Sequence, residues 1–283
     1  MLRPFVPWPV LLYEEGVEKT LIIGDLHLGY EMALAKEGIN IPSQTFRLEK
    51  RLLDVIHEIK PERLIMIGDV KHSIPNISLQ EWTDIPKFFE DVRAEVDVVE
   101  VVPGNHDGDL EPLLPHGINL RAAGGVLLGE KDKVGVFHGH TWPSHELLAA
   151  RYLVTAHNHP MVQFRDPSGF RMVKQAWVKA PCDEKVLAGK ILEKLRIRDE
   201  GNELRIIHER FGIKLEKMTL IIMPAFNDIL GGVIVNRIGT MRHIGPLGRS
   251  EVTDMNEAEI YLLDGTYIGL VKNLRGTPIG FDS

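Results

Sequence analysis

The residues able to do chemistry in this chain fall in a few tight groups. Asp25-Leu26-His27, Asp69 with His72, Asn105-His106-Asp107, His138-Gly139-His140 and His157-Asn158-His159 succeed one another in the first 160 residues, and they hold seven of the twelve histidines. Carboxylate, amide oxygen and imidazole together suit borderline divalent cations such as manganese, iron or zinc. Two such ions about 3.5–4 Å apart can clamp the attacking and leaving oxygens of a displaced phosphate. Taken singly, each group has a plainer reading. Gly24-Asp25 and Gly68-Asp69 read as turn chemistry, Gly104-Asn105-His106-Asp107 as an Asx turn with a surface histidine, and one His-x-His pair as incidental. Five in succession are hard to explain by packing. His106, backed by the Asp107 carboxylate, is a candidate proton donor.

Each group follows a short apolar run: Thr20–Ile23, Leu64–Ile67, Val98–Val102, Val134–Phe137 and Tyr152–Thr155. Between the first three, Phe46, Leu48, Leu52, Ile56 and Ile59 recur at helical spacing up to Pro61, and Trp82, Ile85, Phe88, Phe89 and Val92 do the same. A β-α-β-α-β rhythm of this kind implies buried, largely parallel strands with helices outside. Ligand sites in such sheets form beyond the carboxyl ends of the strands, where these groups sit.

From Gly124 the rhythm changes to short strands. Val126–Leu128, Met172–Val178, Glu203–His208, Thr219–Met223, Gly232–Val235, Glu259–Leu263 and Thr266–Val271 read as further strands, the last two joined at the hairpin signal Asp264-Gly265. The charged stretch 183–217, with a helix over Lys185–Leu195, reads as a surface insertion. With no repeat and no low-complexity linker, the expectation is a single domain, 1–283. Its fold class is α/β, with two packed mixed β-sheets flanked by helices.

Composition narrows the function. Lys plus Arg is 33 against 40 Asp plus Glu, a net charge of −7 that disfavours sequence-independent nucleic-acid coating. One cysteine, Cys182, excludes a disulfide framework and any multi-cysteine metal site. The opening apolar stretch is broken by Pro4, Pro7 and Pro9 and runs into Glu14-Glu15, so it reads neither as a signal segment nor as a membrane span. The expected compartment is the cytoplasm.

The ordered set DLH, GDVKH, GNHD, HGH and AHNH, over about Leu21–Pro160, resembles the calcineurin-like metallophosphoesterases. The form GDxxH is most similar to the SbcD-type DNA repair nucleases. Met223-Pro-Ala-Phe-Asn227, running to Gly231-Gly232, is similar to a small SbcD-related branch that includes the ligase-associated DNA phosphoesterases. The resemblance implies an αββα sandwich and a nuclease-type phosphodiesterase with two divalent metals, manganese above iron, zinc or nickel. It also implies a metal-bridging hydroxide as nucleophile, DNA as the leading substrate, and room for an ATPase or helicase partner.

Carried over by residue, Asp25 and His27 bind the first metal, Asp69 bridges, Asn105 and His157 bind the second, and His159 returns to the first. His138 matches the family's middle histidine, with His140 the competing choice. His106 contacts the phosphate, Asp107 orients it, and His72 stands beside the site. Ala156 replaces the family's glycine before the last pair, and a small alanine is expected to leave the backbone path unchanged.

The alternatives are a phosphodiesterase or phosphatase for small molecules, which the acidic balance favours, and an inactive scaffold of the same fold, which the complete ligand set disfavours. His57, His116, His145, His208 and His243 read as structural or surface, and Trp82, Phe88 and Phe89 as core. Lys71 reads as a phosphate contact or a solvated lysine. Arg237, Arg242, His243 and Arg249 form a loose basic group.

Overall fold

A computed structural model describes residues 1–165, 168–198, 201–237 and 245–275. The first sheet has six strands, β1 (Leu2–Pro4), β2 (Leu11–Glu15), β3 (Glu18–Ile23), β4 (Arg63–Ile67), β5 (Val98–Val102) and β6 (Ile118–Leu120), paired in that order. β3 to β6 run parallel, and β1 and β2 add antiparallel strands at one edge. The proline-broken opening thus becomes an edge hairpin, with Pro7 and Pro9 in its turn, where a missing N–H costs no ladder bond.

The central strands are buried on both faces, and alternate residues serve different cores. Leu21, Ile23, Leu64, Met66, Val99 and Val101 pack on the outer helices. Ile22, Ile65, Ile67 and Val102 face the second sheet. Between α1 (Tyr30–Lys36) and α3 (Leu79–Glu95), α2 (Thr45–Ile59) buries Leu48, Leu52, Val55, Ile56 and Ile59 and stops at Lys60, a left-handed residue before Pro61. α3 starts on a capping box, Ser78 with Glu81, and buries Ile85, Phe88, Phe89 and Val92. Trp82 departs from the expected core: it sits in the first turn of α3, off the buried stripe, and is 48% exposed.

The second sheet holds β7 (Val126–Leu128), β8 (Val134–Val136), β9 (Tyr152–Thr155), β11 (Arg171–Cys182), β12 (Met218–Ile222), β13 (Glu259–Leu262) and β14 (Tyr267–Leu270), while β10 (Met161–Arg165) pairs with β11. Both parallel and antiparallel pairs occur, so two mixed sheets pack face to face with helices outside, as expected. α4 (Glu184–Lys194) buries Leu187, Ala188, Ile191 and Leu192 in the same core. The remaining short helices are α6 (Gly245–Arg249) and α7 (Val271–Leu274).

Two strand expectations fail. Glu203–His208 is helical, part of α5 (Glu203–Phe211). Acidic Glu203 in its first turn, His208 and Arg210 in its last and left-handed Gly212 beyond it are helix-end chemistry that overrides a short apolar run. Gly232–Val235 forms only a single bridge, Ile234 to Met161. There the Asn236 side chain takes both backbone groups of Gln163, ending the ladder after it starts.

Candidate metal centre

Five turns at the carboxyl ends of β3, β4, β5, β8 and β9 converge at one end of the sandwich. The first two stay laced together beyond their strands. Asp25 N–H donates to Gly68 O (3.1 Å), His27 N–H to Asp69 O (2.8 Å) and Leu28 N–H to Val70 O (2.8 Å). Asp25, His27, Asp69, His157 and His159 all hold φ between 42° and 68°. Left-handed backbone costs a non-glycine residue about 1–2 kcal/mol, so its concentration at one place marks a site whose surroundings over-determine it. Close approach dictates the glycines. A Cβ on Gly68 would stand 2.3 Å from His138 Nδ1, and one on Gly104 2.1 Å from Asp69 Oδ1. The Ala156 methyl is tolerated because it lies against Gly24, itself without a side chain.

Three groups of ligand atoms result, one of them His27, His72 and His106. Asp25, His27 and His159 offer ligand atoms within 4.8 Å of one another, and so do Asp69, His138 and His157. His27 Nε2 lies 3.4 Å from Asp69 Oδ2 and joins them. Asn105 Oδ1 is 3.3 Å from His138 Nε2, which is also 3.3 Å from Asp69 Oδ2. His140 stands behind, its ring 5.2 Å from that of His138.

The imidazoles are aimed by what holds their far nitrogens. His138 Nδ1 is 3.0 Å from Ile67 O, and His159 Nδ1 is 3.0 Å from Gly231 O. A carbonyl only accepts, so each Nδ1 carries the proton and each Nε2 faces the carboxylates. His27 Nε2 and His159 Nε2 are buried with no hydrogen-bond partner. Orphaned acceptors beside two buried carboxylates are a donor set that fits divalent cations.

Protonation agrees with that fit. Burial pushes His27 down to about 3, and burial with neighbouring His138 pushes His157 to about 4, so both are neutral at pH 7. Burial would raise the carboxyls, yet His159 holds Asp25, and His138 with His27 holds Asp69, below the usual range. His138 and His159 differ. Burial pulls both down, but the Asp69 carboxylate lifts His138 to about 9, so a cation there would displace a proton, and the Asp25 carboxylate raises His159.

The neighbouring groups are arranged differently from the sequence expectation in two respects. The Asp107 carboxylate does not touch the His106 ring. It accepts from the backbone N–H of Val70 (3.0 Å), Lys71 (3.2 Å) and Gly104 (2.9 Å), tying the turn after β4 to that after β5. The His106 ring is aimed instead by Nδ1 donating to His72 O (2.6 Å), and the two rings stack at 5.2 Å. His72 Nδ1 lies 3.0 Å from His27 Nδ1. Lys71 is neither solvated nor free for phosphate. It is fully buried, bound to Asp109 (2.7 Å) and to Ser73 O.

Glu81 and Asn227 were not among the expected site residues. Glu81 accepts from the backbone N–H of His72 and Ser73, and the S-x-x-E spacing of Ser78 and Glu81 was a readable signal for the cap that places it. Outside the centre, His57 pairs with Glu95 on the surface, His145 packs on Phe211, and His116 and His208 are exposed. Arg242 and His243 lie outside the described residues. Among the described residues no helix is long and apolar enough to cross a membrane.

Residues 18–213 match the family model of calcineurin-like phosphoesterases. Among curated proteins nothing matches at a significant level. Among solved structures, a Pseudomonas putida nuclease MPE is 16% identical, with 95% of this chain and 100% of that one covered at a TM-score of 0.47. An E. coli phosphoesterase, Yfce, is 18% identical, with 52% and 72% covered at 0.33. A protein of unknown function from Aquifex aeolicus is likewise 18% identical, with 50% and 78% covered at 0.36.

Proposed function

Because the chain belongs to the calcineurin-like phosphoesterase family, metal-dependent hydrolases of phosphoester bonds, we propose that it cleaves phosphodiesters with two divalent cations. Asp25, His27 and His159 would hold one, and Asp69, Asn105, His138 and His157 the other, with Asp69 lying between the two groups. The observation that carries this reading is the pair of three-residue clusters joined by Asp69 and His27, with Nε2 of His27 and His159 buried and partnerless between them. Two divalent cations outweigh the two carboxylates, so the site would attract an anionic ester despite the chain's −7.

When bound, such cations polarise the phosphoryl oxygens and lower the pKa of water. The chain's own residues do the rest. His106, its Nδ1–H spent on His72 O, keeps Nε2 for the ester and, with the ring carrying a second proton on Nε2, gives that proton to the leaving oxygen. His72 accepts from His27 Nδ1 and so holds His27 with Nε2 toward Asp69. Manganese is the cation that the family likeness puts first, with iron, zinc and nickel also suited to mixed imidazole and carboxylate ligands.

DNA is the proposed substrate, supported by the GDVKH form of the second motif, with a repair role, a cytoplasmic setting and an ATPase or helicase partner as corollaries of that likeness. The acidic net charge favours a second reading, a small-molecule phosphodiester. One panel separates them: single- and double-stranded DNA, RNA, bis-p-nitrophenyl phosphate and p-nitrophenyl phosphate, with manganese or chelator. Cleavage of DNA and the diester over the monoester supports the nuclease. Hydrolysis of small esters with DNA intact supports the second reading, and no manganese-dependent cleavage of any member overturns both.

A further inference from the structure

The family match ends at residue 213, yet the chain beyond it returns to the metal centre. After β12, Met223 N–H bonds Thr155 O (2.7 Å), and the next residues cross from the second sheet to the first. Phe226 N–H donates to Gly24 O (2.8 Å), Asn227 N–H to Asp25 O (3.2 Å), and Asn227 Nδ2 to Leu26 O (2.9 Å). Three successive carbonyls of the Asp25 turn are thus taken by two residues. Asn227 is fully buried, and its Oδ1 accepts from Ile229 N–H (3.3 Å) and Arg47 Nη2 (3.4 Å). Four residues on, Gly231 O meets His159 Nδ1, and a Cβ on Gly232 would stand 1.8 Å from His159 O.

This strap is fixed from outside. Arg47 pairs with Asp228 (2.7 Å), and Arg51 bonds Phe226 O (3.0 Å) while lying over the Phe226 and Trp8 rings. Its contacts with candidate ligands go to Asp25 and His159, members of the same cluster. Asp25 and His159 both hold left-handed backbone, which needs neighbours to fix it. We propose that Asn227 and Gly231-Gly232 are positioning residues for the Asp25, His27 and His159 cation position alone, so that the strap tunes one of two cation positions. This rests on the two-cation reading above.

The test is manganese titration of the metal-stripped full chain, by calorimetry and by the electron paramagnetic resonance of free manganese. Wild type, Asn227→Leu, Asn227→Asp and Gly232→Ala are compared, with melting in chelator as the control for folding. Asn227→Asp keeps the acceptor for Arg47, loses the donor to Leu26 O and adds a carboxylate beside Arg47, so it serves where Asn227→Leu does not fold. Wild type binds two equivalents. In the variants one equivalent keeps its affinity and the other weakens about 10- to 100-fold, the range for losing a group that orients a metal ligand. Fewer than two equivalents in wild type overturns the two-cation reading. Two equivalents in wild type with unchanged affinities, or equal loss of both, in variants that still fold overturns the role of the strap.

Discussion

The Nδ1 atoms of His27 and His72 face each other at 3.0 Å, so one must donate and the other accept. Donation by His27 leaves its Nε2 lone pair toward Asp69, and the separation of 45 positions between His27 and His72 places this pairing beyond any local motif. Removing the acceptor frees the His27 ring to turn and to change tautomer. His72→Ala is therefore expected to weaken one manganese equivalent about 10- to 100-fold, the loss typical for groups that orient a metal-binding histidine. Calorimetric titration checks it, and an unchanged isotherm would show that His27 is aimed without His72.

Asp69 lies between the two clusters, with Oδ2 3.4 Å from His27 and 3.3 Å from His138, and Oδ1 accepting from His106 N–H (2.9 Å). Asp69→Asn removes the charge that both positions use and keeps the side chain's size. Activity toward bis-p-nitrophenyl phosphate should fall to the chelator background, and metal content by elemental analysis should fall with it. Full activity in this variant would sink the two-metal assignment.

Much of this candidate centre could be read from the chain because its residues sit in turns directly after buried strands. Runs such as Leu64–Ile67 are apolar on both faces, so strand, turn and ligand follow one another in the sequence. What could not be read depends on contacts distant in sequence or on competing local signals. Glu203–His208 reads as a strand because its six residues fit one, while Arg210 and the left-handed Gly212 that complete the helix end lie beyond that window. Lys71 looked solvated because nothing local announces Asp109 as its partner. Asn227 reaches Leu26 across 201 residues, a pairing that no periodicity encodes.

Asp107 illustrates the same point with a consequence for stability. Its buried carboxylate accepts three backbone N–H groups from two turns. Asp107→Ala leaves those donors unpaired at about 1–3 kcal/mol each. A loss of about 3 kcal/mol lowers Tm by roughly 6–12 °C, extending the scaling for chains of 150–250 residues. Thermal melting in chelator isolates this from metal loss, and a Tm equal to that of wild type would show that the turns hold without the clamp.

His138 and His140 are one glycine apart but differently placed. His138 Nε2 is within 3.3 Å of both Asp69 and Asn105, whereas His140 belongs to none of the three-residue groups found among the described residues. His138→Ala should abolish binding of one manganese equivalent, while His140→Ala should retain both. Elemental analysis after desalting distinguishes them, and the reverse order would exchange their roles.

His106 should separate chemistry from metal binding. Its ring is held by a carbonyl rather than a carboxylate, and its backbone N–H, which a substitution keeps, is what bonds Asp69. His106→Ala should therefore keep both manganese equivalents while kcat falls about 10²- to 10⁴-fold, the range for losing a general acid. The loss should be smallest for bis-p-nitrophenyl phosphate, whose leaving group departs with little need of a proton, and largest for an alkyl ester or DNA. Equal losses on both substrates would make His106 a phosphate contact rather than the proton donor, and loss of metal would make it a ligand.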